Sequence, residues 1–392
     1  MSRGQLSPLH PSPATVAGRG KPEGGPLLMT SKNAPGHLPR VSLGGLPALA
    51  SIAQTVGRLL VLLGGPGIGK TAIGRTIARA LGIPADRVSV LNYNGASPTE
   101  VFGFAIPGEP GADLEWAAPS ILPTRHRIGD EPFLVVLDEF ADWEPAIQSL
   151  WRGAIAPDGV PRVGPHELGH GVFFILTGNR AQDGSRTSKT LSGPVVNRSL
   201  VAEVVPRADE WVQWARSEGL SGPVVDWIGY LSTEQVDGYF APPVPQPWQG
   251  QPFPSPRAWE AVARAYNVAP DPATFRTAAW ALVGQDAGDT VAVFAEKVYE
   301  WAGRVGAIRA GSETLPLDPI DQSATLSAAT RVAIRESEAD PAAHVAGGLL
   351  DWFVDRFLLP ASPERAAAGY RAALAAGIPL ARHPRCEHLA RL

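Results

Sequence analysis

The chain is almost without cysteine. Cys386 is the only one in 392 residues, so no intrachain disulfide can form and a cysteine-based zinc cluster is ruled out. A reducing cytoplasm is the simplest compartment for such a chain. An excess of either charge is also missing: 34 basic against 38 acidic side chains leave a formal charge of -4. That balance provides no broad cationic field of the kind non-specific nucleic-acid binding needs, although a local basic patch stays open. Nowhere do about 18 apolar residues follow one another as a membrane span requires, and the N-terminus has no apolar run suited to a signal peptide. A soluble protein is expected. No internal repeat is visible either. What the chain does have is a 44% hydrophobic share and length enough for two or three domains.

Residues 1–40 are rich in Gly, Pro and Ser, lack apolar periodicity and carry more basic than acidic groups. They cannot bury enough surface to order themselves and read as a flexible tail. From 41 to 206, short apolar runs alternate with amphipathic stretches. Leu59–Leu63, Val88–Tyr93, Phe133–Asp138, Val172–Thr177 and Leu200–Val205 read as strands, and TAIGRTIARAL between the first two has helical periodicity. Such alternation predicts an α/β fold, a three-layer sandwich around a largely parallel sheet. Ser97-Pro98-Thr99-Glu100 has the pattern of a capped helix start, with Glu100 placed to reach back to the Ser97 N–H. The Gly/Pro-rich excursion 107–130 that follows is long for a connection and reads as a functional insertion or a mobile surface loop.

Beyond Pro206 the strand signals largely stop. Ala208–Glu218, Pro223–Leu231, Pro256–Tyr266, Pro272–Gly284 and Asp286–Gly303 read as helices of a second domain, 207–304, interrupted by the Pro-rich connector APPVPQPWQGQPFPSP. After a loop near Ser312–Pro319, helices over Ser323–Glu336, Pro341–Phe357 and Pro363–Ala376 make a helical C-terminal extension, 305–392. The 11 tryptophans lie mostly outside the first domain, and at helical spacing such residues are expected in the core.

The most specific stretch is Gly64-Gly65-Pro66-Gly67-Ile68-Gly69-Lys70-Thr71, which satisfies G-x-x-x-x-G-K-[ST] between the LLVLL strand and a helix beginning near Lys70. Glycines let successive backbone N–H groups face a phosphate chain, and the N-terminus of the helix, opening with Ala72, adds its positive dipole end. Lys70 is placed to meet the β/γ-phosphates and Thr71 to supply a hydroxyl to Mg²⁺. Phe133–Glu139, FLVVLDE, is an apolar strand ending in two carboxylates at the sheet edge where such folds bind ligands. Asp138 would hold Mg²⁺ and Glu139 would polarise the attacking water, so the cofactors expected are ATP and Mg²⁺.

Together these motifs resemble the AAA+ ATPases, and among them the MoxR-like and dynein-related group. The resemblance covers residues 43–304. It implies a P-loop base at 41–206 with a helical lid behind it. FILTGN, Phe174–Asn179, looks like the sensor-1 strand, so Asn179 would help position water near the γ-phosphate. Pro194-Val195-Val196-Asn197-Arg198 resembles the arginine-finger segment, with Arg198 reaching a neighbouring subunit's site and Arg180 and Arg186 as competitors for that role. Ser255-Pro256-Arg257-Ala258-Trp259 resembles the sensor-2 helix start, placing Arg257 over the nucleotide. The excursion 107–130 sits where the group carries an insertion in its second helix. Two departures stand out: Phe140-Ala141-Asp142 follows the carboxylates where the group often has Asn with a basic residue, and Arg180 follows Asn179 where Pro is common.

Pro165–Gly171, PHELGHG, also contains His-Glu-x-x-His, which on a helix would place His166 and His170 on one face to hold zinc. A helix there would have under two turns, and Gly169 and Gly171 would each cost about 1 kcal/mol relative to Ala. A connection before the sensor-1 strand is the expectation, with no zinc. The resemblance implies a homo-oligomeric ring, often hexameric, that spends ATP hydrolysis on remodelling a protein partner, often beside a protein carrying a von Willebrand factor A-type domain. A nucleic-acid motor or loader using the same site, with Arg125 and Arg127 at its pore, is the alternative.

Overall fold

The computed structural model describes residues 38–107, 114–155, 160–180, 191, 193–220, 222–233, 239–241, 250–339, 348–375, 378, 380 and 386. Arg186, residues 1–37 of the expected tail, 108–113 of the excursion, 242–249 of the Pro-rich connector and 341–347 of an expected helix lie outside them.

The described strands, in chain order, are β1 (Arg40–Val41), β2 (Leu59–Leu63), β3 (Val88–Leu91), β4 (Phe104–Ile106), β5 (Glu115–Ala117), β6 (Phe133–Leu137), β7 (Arg162–Val163), β8 (His166–Glu167), β9 (Val172–Gly178) and β10 (Ser199–Val204). Six of them form one sheet in the order β1-β10-β2-β9-β6-β3, with every pairing parallel. Between β1 and β10 lie the helices α1 (Leu46–Thr55), α2 (Ile73–Ala80), α3 (Pro98–Phe102), α4 (Arg125–Ile128), α5 (Pro145–Leu150), α6 (Arg152–Ile155) and α7 (Gly193–Asn197), with α1 preceding β2.

The sheet is buried on both faces, which is why its strands read as unbroken apolar runs. Leu60, Leu62, Leu134, Val136 and Ile175 point to one side, where Leu46, Ala50, Ile73 and Ile77 of α1 and α2 cover them. Their neighbours Leu59, Val61, Val135, Leu137 and Phe174 point to the other, against Tyr93, Trp143 and Trp151. The alternation follows from the two-residue period of a strand. Close packing sets a limit at Gly74, where a Cβ would come within 2.7 Å of Val136 Cγ2. The three-layer α/β architecture expected from the sequence is the one observed.

The helical region consists of α8 (Ala208–Ser217), α9 (Pro223–Thr233), α10 (Pro256–Val268), α11 (Pro272–Val283), α12 (Gln285–Ala310), α13 (Pro319–Ala339), α14 (Gly348–Phe353), a π turn at Val354–Leu358 and α15 (Pro363–Ala375). One continuous core joins these helices, from Ala208 through Trp259, Phe294 and Phe353 to Cys386. Trp143, Trp151, Trp211, Trp227, Trp259, Trp301 and Trp352 are all buried, as helical spacing predicted for most of them. Among the described residues no helix is long and apolar enough to cross a membrane.

Several boundaries moved. Regular α2 begins at Ile73 and not near Lys70, because Gly69 at φ 95° and the turn that follows it take up the start of the segment. The strand read as Val88–Tyr93 ends at Leu91, leaving Asn92 beyond the sheet. Edge strand β1 carries two residues, too few for periodicity to register. The excursion contains β5, which pairs antiparallel with β4 just before it, and α4. At α3 the helix start behaves as its pattern suggests: the Ser97 N–H donates to Glu100 Oε2 at 2.7 Å. Hydrogen bonds from the Ser97 backbone and then its side chain hold the Glu100 carboxyl below the usual range.

Candidate nucleotide-binding site

The parallel register brings the C-terminal ends of β2, β6, β9 and β3 side by side, with Leu63 opposite Gly178 and Leu91 opposite Leu137. Every polar residue that closes one of these strands therefore faces the same edge. Gly64–Thr71 leaves β2 there as a loop that turns back under itself, with Gly67 at φ 73° and Gly69 at φ 95°. Glycine favours such values because a Cβ there costs about 1–2 kcal/mol. At Gly64 a Cβ would lie 2.5 Å from Ile68 Cδ1 and 2.9 Å from the Val204 carbonyl oxygen. Ile68 is buried in that hollow, and Ala72 stands exposed at the N-cap of α2 in helical conformation.

Lys70 is buried, and its Nζ donates to the carbonyls of Gly64 and Gly65 at 2.8 Å each and to Asn179 Oδ1 at 3.1 Å. Its ammonium thus lies between the glycine loop and the end of β9. Beside it, the Thr71 hydroxyl donates to Asp138 Oδ1 at 2.8 Å, and the Thr177 hydroxyl donates to the same oxygen at 2.6 Å. Thr177 Oγ1 in turn accepts the Glu139 N–H at 3.0 Å. One hydroxyl therefore holds the Asp138 carboxylate and the Glu139 backbone just past the end of β6.

Glu139 has φ 54°, the only positive value at a non-glycine among the described residues. Such strain persists only where the surroundings hold it, and it clusters at functional sites. The hold is visible here. Trp143 Nε1 donates to the Asp138 carbonyl at 3.0 Å, and the Asp138 N–H reaches the Leu91 carbonyl at 2.8 Å. Trp143 packs edge-on against Tyr93 at 5.3 Å between ring centroids. Burial, and after it the Glu100 charge, push the Tyr93 phenol up to about 12. On the solvent side, Asn92 Nδ2 donates to Glu139 Oε2 at 3.3 Å.

The donor set fits the groups the motifs imply. Thr71 Oγ1 and Asp138 Oδ1 are hard oxygens set together, of the kind Mg²⁺ takes while keeping several of its waters. The glycine loop is a cradle that a Cβ at Gly64 would fill.

From the helical region, the Arg257 N–H donates to the Gly67 carbonyl at 3.0 Å, so the start of α10 rests on the glycine loop. Ser255 caps α10 by accepting the Ala258 N–H at 3.2 Å, and Trp211 Nε1 donates to the Pro256 carbonyl at 3.1 Å. The Arg257 side chain is exposed. Gly67→Ala would place a Cβ 2.8 Å from Ser255 Oγ on a backbone at φ 73°. A loss of about 1–2 kcal/mol in a urea unfolding curve is expected from the backbone conformation alone. An unchanged midpoint would contradict this packing.

Arg198 is not brought to this edge. It follows α7, and its carbonyl accepts the Leu59 N–H at 3.3 Å, which places it at the other end of β2. A five-residue strand at about 3.3 Å per residue separates that end from Gly64 by roughly 15 Å. Arg180, next to Asn179, is ion-paired with Glu203, which Arg40 Nε also approaches at 3.7 Å.

PHELGHG is not helical. Val163 and His166 pair across a turn at Gly164, φ 55°, so β7–β8 is a hairpin and the facing of His166 and His170 is lost. His166 Nε2 lies 2.6 Å from the Phe102 carbonyl, and His170 is exposed with its N–H on Asp130 Oδ1 at 3.1 Å. Arg125 is held by Asp130 at 3.1 Å and Glu167 at 2.8 Å, while Arg127 donates to the backbone carbonyls of Ala118 at 2.8 Å and Leu122 at 3.2 Å.

Sequence reasoning missed Asn92 and Thr177. Asn92 carries the signal that marks Asp138 and Asn179, a polar residue just past an apolar parallel strand. Carrying the strand through to Tyr93 hid it. Thr177 carries the same signal, the polar residue that closes the apolar run Val172–Leu176, and attention to Asn179 two positions on passed over it.

No protein-family profile matches the chain, and no curated protein does. Among solved structures, NtrX from Brucella abortus in complex with ADP is similar at a TM-score of 0.35 and 16% identity, over 88% of this chain and 68% of that one.

Proposed function

We propose that the chain is a Mg²⁺-dependent ATPase of the MoxR-like AAA+ type, working in the cytoplasm as a homo-oligomeric, hexameric ring that remodels or activates a protein partner. The observation that carries this reading is the convergence of Lys70, Thr71, Asp138, Glu139 and Asn179 on one edge of a parallel sheet while Arg198 sits at the opposite edge. Within this reading 41–206 is the base, 207–304 the lid and 305–392 an extension.

Mg²⁺, when bound by Thr71 and Asp138, supplies charge that offsets the build-up on the phosphoryl oxygens. The N–H groups of Gly65, Gly67, Ile68 and Gly69 and the Lys70 ammonium bind the β- and γ-phosphates, and Ala72 at the N-cap lets α2 present its dipole to them. Glu139 takes the proton of the attacking water, and Asn179 orients that water beside Lys70. Asn92 donates to the Glu139 carboxylate, so its hydrogen bond competes with that task. Arg257, carried on α10, approaches from the helical side. Arg198 is too far from its own loop to serve it, so it acts on the site of the next subunit. A von Willebrand factor A-type protein is the partner class the resemblance favours. The nucleic-acid reading is weaker, because Arg125 and Arg127 are engaged within the chain.

Mg²⁺–ATP turnover per subunit, followed over a wide range of protein concentration, tests the proposal. Turnover is expected to rise as the protein assembles and to fall to background in Lys70→Ala. Turnover that is flat with concentration would remove the shared site, and turnover that survives Lys70→Ala would remove the glycine-loop assignment as well.

A further inference from the structure

The helical region contains a cleft remote from the glycine loop. It lies between α8, α9 and α15, has a volume of about 580 Å³ and shares Arg216, Gly229 and Ala368 with a smaller pocket that reaches α13. Small residues open it, Gly229 on α9 facing Ala368 and Ala375 on α15. Its volume falls within the roughly 300–1,000 Å³ of small-molecule sites.

The walls are basic. Arg216, Arg365 and Arg371 line the two spaces, against Asp209 and Asp226. Both carboxylates are already engaged. Asp209 is held by Arg207 at 2.7 Å. Asp226 is shared by Arg216 at 3.5 Å, Arg331 at 3.9 Å and the Ser327 hydroxyl. Arg371, exposed at the rim, has no carboxylate at ion-pair distance among the described residues. Burial pushes the Arg216 guanidinium below the usual arginine value; Asp226 opposes that shift and the Arg371 charge adds to it. Positive charge is therefore crowded into a partly desolvated space, where an acceptor with several oxygens relieves the repulsion.

We infer that this cleft binds a small anion through a phosphate or carboxylate group, with Arg216 at its floor and Arg371 at its rim. The site is separate from the glycine loop and stands whether or not the chain hydrolyses ATP. Phosphate chemistry at the loop would obscure it, so the test uses full-length Lys70→Ala protein. Isothermal titration with inorganic pyrophosphate, and in a separate arm with citrate, is expected to give saturable one-to-one binding in at least one arm. Pyrophosphate alone would identify a phosphate site, citrate alone a carboxylate site, and both a site for either group. Arg371→Glu, on an exposed position that leaves the core untouched, is expected to weaken that binding at least about tenfold, equivalent to about 1.4 kcal/mol. Arg264→Glu, an exposed arginine on α10 outside the cleft, is expected to leave it unchanged. Absence of saturable binding in both arms overturns the inference, as does equal binding in Arg371→Glu or an equal loss in Arg264→Glu.

Discussion

Replacing Glu139 by Gln is expected to lower Mg²⁺–ATP turnover by about 10²–10⁴-fold, the usual contribution of a positioned general base, while nucleotide binding persists. The substitution is close to isosteric, and the contacts that hold the site do not depend on the charge. The Glu139 N–H reaches Thr177 Oγ1 at 3.0 Å through the backbone, and Trp143 grips the Asp138 carbonyl at 3.0 Å. Asn92 Nδ2 can still donate to the amide oxygen of Gln. Only the capacity to accept a proton is removed. Single-turnover hydrolysis beside equilibrium nucleotide binding makes the check: binding kept with hydrolysis lost is the expected pair. Hydrolysis that continues at the parent rate would move the base elsewhere and leave the strained backbone at Glu139 without its proposed purpose.

Arg198→Ala carries a comparable expectation for a different reason. A loose phosphoryl-transfer transition state spreads negative charge over its equatorial oxygens, and an arginine supplied by a neighbour contributes about 10³–10⁵ in related enzymes. Since Arg198 lies at the far end of β2 from its own glycine loop, its loss should disable the neighbouring site and spare its own. Mixing separates these cases. Arg198→Ala subunits retain Glu139, and Glu139→Gln subunits retain Arg198, so a mixed ring contains interfaces with both groups intact. Two inactive variants are expected to regain measurable turnover on mixing. If the mixture stays as inactive as its components, with both variants assembled, the arginine does not act across an interface.

The two carboxylates and the glycine loop were legible because their signal is local: residue type, spacing and the position just past an apolar strand. Leu59–Leu63 and Phe133–Leu137 were legible for a related reason, since burial on both faces leaves only apolar residues permissible. The geometry that links the motifs was not. Thr177 meets Asp138 across 39 positions of sequence and Asn92 meets Glu139 across 47, and no periodicity encodes such a meeting. The left-handed backbone at Glu139 is likewise a product of Trp143, Thr177 and strand pairing acting together. In Pro165–Gly171 the two scales conflicted. The regular expression pointed to zinc, the glycines to a turn, and the hairpin follows the glycines.

The rest of α10 on Gly67 has a mechanical consequence. The described residues from Ala208 to Cys386 share one core, and Arg257 and Ser255 bring that core directly onto the glycine loop. The 26 residues of α12 alone make a rod of about 39 Å at about 1.5 Å per residue. Any shift at Gly67 would therefore bear on that whole packed body and not on α10 alone.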